Sequence, residues 1–182
     1  LKLFKLKDFR QKKSPHARHE RIFRIVGDAS KPGFVVDNHS SRPEIARRLK
    51  RQLKTLNPVL MTLNEAKGLD VVVRRNITHV ICICSTFGMG KAPSNAGEFF
   101  ETPITATKST KFAVLALGST IYPDFCRAGI QLDKKLSEAG LERDVTLTTA
   151  DAAGGADNTI EYWLRLVKKR ILPPSLENEL MA

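Results

Sequence analysis

The chain has 182 residues, 42% of them apolar, enough for one domain with a substantial core and no disulfide or metal staples. No apolar run approaches the ~20 residues of a membrane helix, and residues 1–24 lack the apolar segment of a signal peptide. Net charge is +11, and nine Lys/Arg against two acids fall in residues 1–24, so the basicity belongs mainly to an N-terminal arm.

In that arm Leu1, Leu3, Phe4, Leu6 and Phe9 are interspersed with lysine and arginine. It reads as a solvated linker or added edge strand. An amphipathic helix for calmodulin or an anionic membrane surface is the sharper reading. Nucleic acid is not an expected partner, because no array of aromatics offers a stacking platform. Ile22 to Val26 offers a short strand, and 27–33 is a turn cluster rich in Gly, Pro and Asp. Phe34, Val35 and Val36 read as the first strand of the domain proper. Ser40 or Ser41 can cap a helix starting near Pro43, whose buried face is Ile45, Leu49 and Leu53. Val59, Leu60, Met61 and Leu63 make a second strand.

The run 79–84 is apolar and β-branched, the pattern of a strand buried on both faces. It breaks at Ser85 and Thr86, passes Phe87-Gly88-Met89-Gly90, and restarts as a helix over 95–101, with Pro93 suited to its entry. Residues 102–110 are a polar connector, and 111–117 a fourth strand. Phe125, Gly129, Leu132 and Leu136 share a helical face that Gly140 ends. Residues 145–147 are a fifth strand, and Ile160, Trp163, Leu164 and Val167 mark a last amphipathic helix. The alternation predicts a doubly wound parallel α/β sheet, with ligands at the carboxyl ends of its strands. Cys82, Cys84 and Cys126 fall in core elements without metal-ligand spacing. They read as reduced thiols in a cytoplasmic protein.

Ser85-Thr86-Phe87-Gly88-x-Gly90-x-x-Pro93-x-Asn95-x-x-x-Phe99 resembles the second flavin loop of the diflavin reductases. That family includes nitric oxide synthases, sulfite reductase flavoproteins and NADPH–cytochrome reductases. Ala116-Leu117-Gly118-Ser119, followed by Tyr122-Pro123-x-Phe125-Cys126, is similar to its third flavin loop. The resemblance covers about residues 34–169. It implies a flavodoxin-like sheet in the order 2-1-3-4-5, an arm over 1–33, a domain over 34–170 and a linker over 171–182. A start at Leu1 suits a piece of a longer protein.

The resemblance implies that FMN lies between Phe87 and Tyr122, with Ser85, Thr86, Gly88, Gly90, Leu117, Gly118, Ser119 and Phe125 around the ring. Gly88 matches the position whose carbonyl meets the redox-active nitrogen when one electron is added. A glycine there permits a peptide flip at low strain. Asn95 and Phe125 match positions beside the ring, with structural support as their main role. Asp151 matches an acid after the fifth strand, and an ordinary strand-end acid is its other reading. Ser40 and Ser41 fall at the phosphate loop. That loop departs from the family pattern: Asp37-Asn38-His39-Ser40-Ser41 lacks the glycine and places an acid where a hydroxyl belongs. Lys91 also stands where relatives usually carry an acid.

The implied function is single-electron transfer from an FAD/NADPH module of the same full-length chain to a haem or similar acceptor. A flavin-free interaction module on the same scaffold is the alternative, and a short-chain flavodoxin acting alone is a third reading.

Overall fold

The structure, a computed structural model, describes residues 23–27, 43–56, 58–70, 72, 77–105 and 110–172. Its centre is the pair β3 (His79–Ser85) and β4 (Lys111–Gly118), parallel over seven residue pairs from His79↔Lys111 to Ser85↔Leu117. Apolar residues at every interior position, 80–84 and 112–117, fill two cores at once, because successive side chains point to opposite faces. Ile81, Ile83, Ala113, Leu115 and Leu117 enter one core, and Val80, Cys82, Cys84, Phe112 and Val114 the other.

β1 (Phe23–Gly27) pairs in parallel with β3 on one side and β2 (Val59–Met61) on the other. β5 (Glu142–Asp151) lies beside β4, giving the order β2-β1-β3-β4-β5. The helices α1 (Pro43–Gln52) and α4 (Ala156–Ile171) cover the first core, α1 through Ile45, Leu49 and Leu53. The second core is covered by a 3-10 segment (Asn64–Leu69), α2 (Gly97–Glu101) and α3 (Arg127–Glu138). α3 rides close on β4, because a Cβ at Gly129 would lie 2.3 Å from the Ala116 Cβ.

The structure corrects the expected first strand. The strand between β2 and β3 is Phe23–Gly27, not 34–36. Residues 34–36 fall in the connection from β1 to α1, outside the described residues. Both runs are short, mainly apolar and followed by turn formers, so local pattern alone does not rank them. The folded unit therefore starts by Phe23, not at residue 34, and Arg24 belongs to a strand and not to an arm. β5 is also longer than expected, since its β-branched threonines extend the ladder on an edge with one wet face. α2 starts two residues later than expected, at Gly97.

Candidate functional site

β3 and β4 end together, so the loops that follow them rise side by side at one end of the sheet. The first is tied down at its base: the Thr86 N–H donates to the Leu117 carbonyl (3.0 Å), and the Thr86 hydroxyl accepts from the Ala128 N–H (3.1 Å). The second bond satisfies an otherwise free donor in the first turn of α3. Thr86 thus spends its side chain on the scaffold. Phe87 and Lys91 then exchange two main-chain hydrogen bonds of 2.8 Å, closing a tight turn. The turn needs positive φ at Gly88 (48°) and Gly90 (75°). The two glycines differ in surroundings. A Cβ at Gly90 would lie 2.5 Å from Arg127 Cδ and 3.0 Å from Asp124 Cβ, so the two loops meet there. A Cβ at Gly88 would touch nothing within 4 Å, so the space beside this residue is open.

The second loop begins at Gly118, where a Cβ would lie 2.6 Å from the Cys126 nitrogen. The chain leaves and returns through that gap. Cys126 closes it in the left-handed conformation (φ 54°), with its buried Sγ donating to the Ala116 carbonyl (3.4 Å). Burial pushes the Cys126 thiol up to about 11 and raises Cys82 as well, so both stay protonated near neutral pH. Between these ends the Ser119 carbonyl accepts from the Tyr122 N–H (3.1 Å), and its hydroxyl accepts from the Ile121 N–H (3.4 Å). The turn pushes large apolar groups into solvent: Ile121 is 76% exposed and Tyr122 56%. Met89, on the neighbouring loop, is 78% exposed. Phe87 and Phe125 are half-buried at the bases of their loops.

A third loop joins from β5. Asp151 Oδ1 accepts from the Thr120 N–H (3.0 Å) and the Ala153 N–H (2.9 Å), and Oδ2 accepts from the Thr120 hydroxyl (2.6 Å). These bonds, the Thr120 hydroxyl first, hold the carboxyl below the usual aspartate range. Its acceptor capacity is spent on fastening the Tyr122 loop to β5.

Eleven of the thirteen site residues expected from sequence therefore gather at one end of the sheet. Ser85, Thr86, Phe87, Gly88 and Gly90 come from the first loop, Leu117, Gly118, Ser119, Tyr122 and Phe125 from the second, and Asp151 from β5. Ser40 and Ser41, with Asp37, lie outside the described residues. Asn95 belongs to the scaffold, its carbonyl accepting from the Asn64 N–H (3.0 Å). Three participants escaped the sequence reading. Thr120 fastens the second loop, and Met89 and Ile121 stand out as large apolar residues in loops that fit no strand or helix period, which was the available signal.

Among the described residues no group of His, Cys, Asp and Glu could hold a metal. The side chains offered are aromatic, aliphatic and hydroxylic, the cysteines are buried, and the two loop carboxylates are engaged, Asp151 by Thr120 and Ala153 and Asp124 by Arg127. The Ser85 hydroxyl is buried at the end of β3 with no partner among the described residues. Such a surface suits holding a flat conjugated ligand by its faces and edges, with the reactive chemistry carried by the ligand.

The family model for flavodoxin matches residues 43–163. The sulfite reductase [NADPH] flavoprotein alpha-component of Mannheimia succiniciproducens is 31% identical over 135 residues, covering 70% of this chain and 21% of that protein. An inducible nitric oxide synthase from Gallus gallus is 32% identical over 89 residues, 47% of this chain and 8% of that one. NADPH oxidoreductase A of Dictyostelium discoideum is 31% identical over 104 residues, 55% of this chain and 16% of that one. The chain thus spans between 8% and 21% of the length of these relatives. Among solved structures, oxidised flavodoxin 2 from Bacillus cereus superposes with a TM-score of 0.62 at 20% identity, covering 83% of this chain and 99% of that one.

Proposed function

The chain belongs to the flavodoxin family, and from that premise we propose that it is an FMN-binding electron-transfer domain of a larger diflavin oxidoreductase. The observation that carries this reading is the pair of loops that β3 and β4 release side by side. One bears half-buried Phe87 and the unobstructed Gly88, the other exposed Tyr122. The residues present fit the group. An exposed aromatic beside a half-buried one suits a flat ring, and the Ser85 hydroxyl has hydrogen-bonding capacity left over. Bound FMN supplies the one-electron chemistry. Phe87 and Tyr122 hold the ring by its faces. Gly88, a glycine at positive φ with open space beside it, would present its peptide to the ring edge and could reorient at low strain. Thr86, Cys126 and Asp151 act at one remove by fixing the loops.

Electrons reach this domain from an FAD/NADPH module of the same full-length protein and leave to a haem or another one-electron acceptor. The names of the relatives support this, and the chain by itself does not oxidise NADPH. Buried reduced thiols fit a cytoplasmic setting. The connection from β1 to α1 carries Asp37 and lacks the family's glycine. FMN therefore binds more weakly than is usual for the family, with riboflavin penalised less. The test is flavin content of the purified chain and fluorescence titration of the apoprotein with FMN and riboflavin. About one flavin per chain, or saturable quenching, is expected. A colourless chain that quenches neither flavin overturns the reading and leaves a flavin-free module.

A further inference from the structure

The charge of the folded part is sorted between its two helical layers. On one layer, 43–54 and α4 together hold nine Lys/Arg against three acids; on the other, α2 and α3 hold three against four. Sorting continues within the basic layer. Both helices run back against parallel strands, so their last turns lie at the end of the sheet opposite the loops. The acids Glu44 and Asp157 occupy the first turns, near the loops. The exposed cations Lys50, Arg51 and Lys54, and Lys169 and Arg170, occupy the far end. One strong neutralising contact is internal: Arg48 forms a two-pronged ion pair with Glu161 that clips α1 to α4 and raises the arginine pKa. The layer's other two acids among the described residues, Glu44 and Asp157, sit at the opposite ends of their helices from the far-end cations. Phe23, where the basic arm joins β1, lies at the same end.

We propose that the far end of the α1/α4 layer is a docking surface for an anionic lipid bilayer. The cations are spread over two helices on one side of a sheet, a broad array with no stacking aromatics such as single-stranded nucleic acid uses. Long, independently mobile Lys and Arg chains suit a smeared negative surface. Strands of about eight residues separate this end from the loops after β3 and β4 by about 25 Å, so docking leaves those loops facing solution. The inference does not rest on the flavin reading.

Sedimentation with vesicles tests it, comparing pure phosphatidylcholine with phosphatidylcholine containing phosphatidylserine at physiological salt. Two double variants of equal charge are compared: Arg51→Gln with Lys169→Gln on the basic layer, and Lys67→Gln with Lys134→Gln on the opposite one. Wild type is expected to partition onto the anionic vesicles only. The basic-layer pair should lose on the order of 10- to 30-fold in partitioning, and the opposite pair little, with both unfolding as wild type does. Equal partitioning on both vesicles, or equal loss in both pairs, overturns the proposal. So does binding to duplex DNA or polyglutamate without binding to vesicles, which would assign the face to another polyanion.

Discussion

Asp151 holds Thr120 by both its N–H and its hydroxyl, across 31 residues of sequence. Tyr122 stands two residues beyond that clasp. Loss of the carboxylate frees the loop, and an aromatic that must be ordered on binding binds less tightly. Asp151→Ala is therefore expected to raise the flavin Kd several-fold at neutral pH. The sign of the pH effect follows from the depressed carboxyl pKa. Its contribution is complete above the ordinary aspartate value, about 4, and is lost as pH falls through the lower folded value. Wild-type affinity should be flat in this respect from neutral pH down to about 5 and fall only in stronger acid. Titrations of wild type and Asp151→Ala across that range check it: the gap between them should close in acid.

Phe87 and Tyr122 differ in burial, so their truncations separate binding from stability. Either change to Ala should weaken flavin binding by about 1–3 kcal/mol if the ring stacks there. Tyr122 is 56% exposed, so Tyr122→Ala should leave the unfolding free energy within about 0.5 kcal/mol. Phe87→Ala should cost more, because Phe87 is half-buried at the base of its loop. Flavin titration paired with urea unfolding gives both numbers for each variant.

Gly88 and Gly118 make a second contrast. A methyl at Gly88 meets nothing, so Gly88→Ala costs only the left-handed backbone strain, about 1–2 kcal/mol. A methyl at Gly118 lands 2.6 Å from a backbone nitrogen and must push α3 off β4. That overpacking is expected to cost about 1–3 kcal/mol and to loosen the Tyr122 loop with it. Gly88→Ala should instead shift the one-electron midpoint potential of bound flavin more than its affinity. Potentiometry and unfolding of the two variants decide whether Gly88 serves the ring and Gly118 the scaffold.

The parts legible in sequence were those with a local physical cause. The apolar run at 79–84 has to be a strand buried on both faces, and Ile45, Leu49 and Leu53 have to face a core. The paired glycines after Phe87 have to be a tight turn. What sequence hid was non-local. Asp151 reads as any strand-end acid until Thr120 is seen beside it. Thr86 resembles a ligand-facing hydroxyl, yet its oxygen caps α3 through Ala128. The first strand was misplaced by eleven residues because two short apolar runs precede α1 and only sheet pairing chooses between them.

That choice sets the last prediction, on the N-terminal boundary. β1 is an interior strand: Ile25 is aligned with Leu60 on one side and Ile81 on the other. A cut after Gly27, within the stretch 1–33 expected to be an arm, removes the strand between β2 and β3. It deletes ladder hydrogen bonds on both sides, at about 1 kcal/mol net each, and bares two strand edges. Several such bonds, plus the packing lost with them, rival the 5–15 kcal/mol that hold a typical domain. A cut before Phe23 keeps all five strands described for the sheet. Residues 23–182 are therefore expected to unfold cooperatively near the wild-type midpoint and to bind flavin as the full chain does. Residues 28–182 are expected to be unfolded or aggregated. Thermal unfolding by circular dichroism, with flavin titration of each fragment, reads both outcomes. A cooperative transition in the shorter fragment would remove β1 from the centre of the sheet.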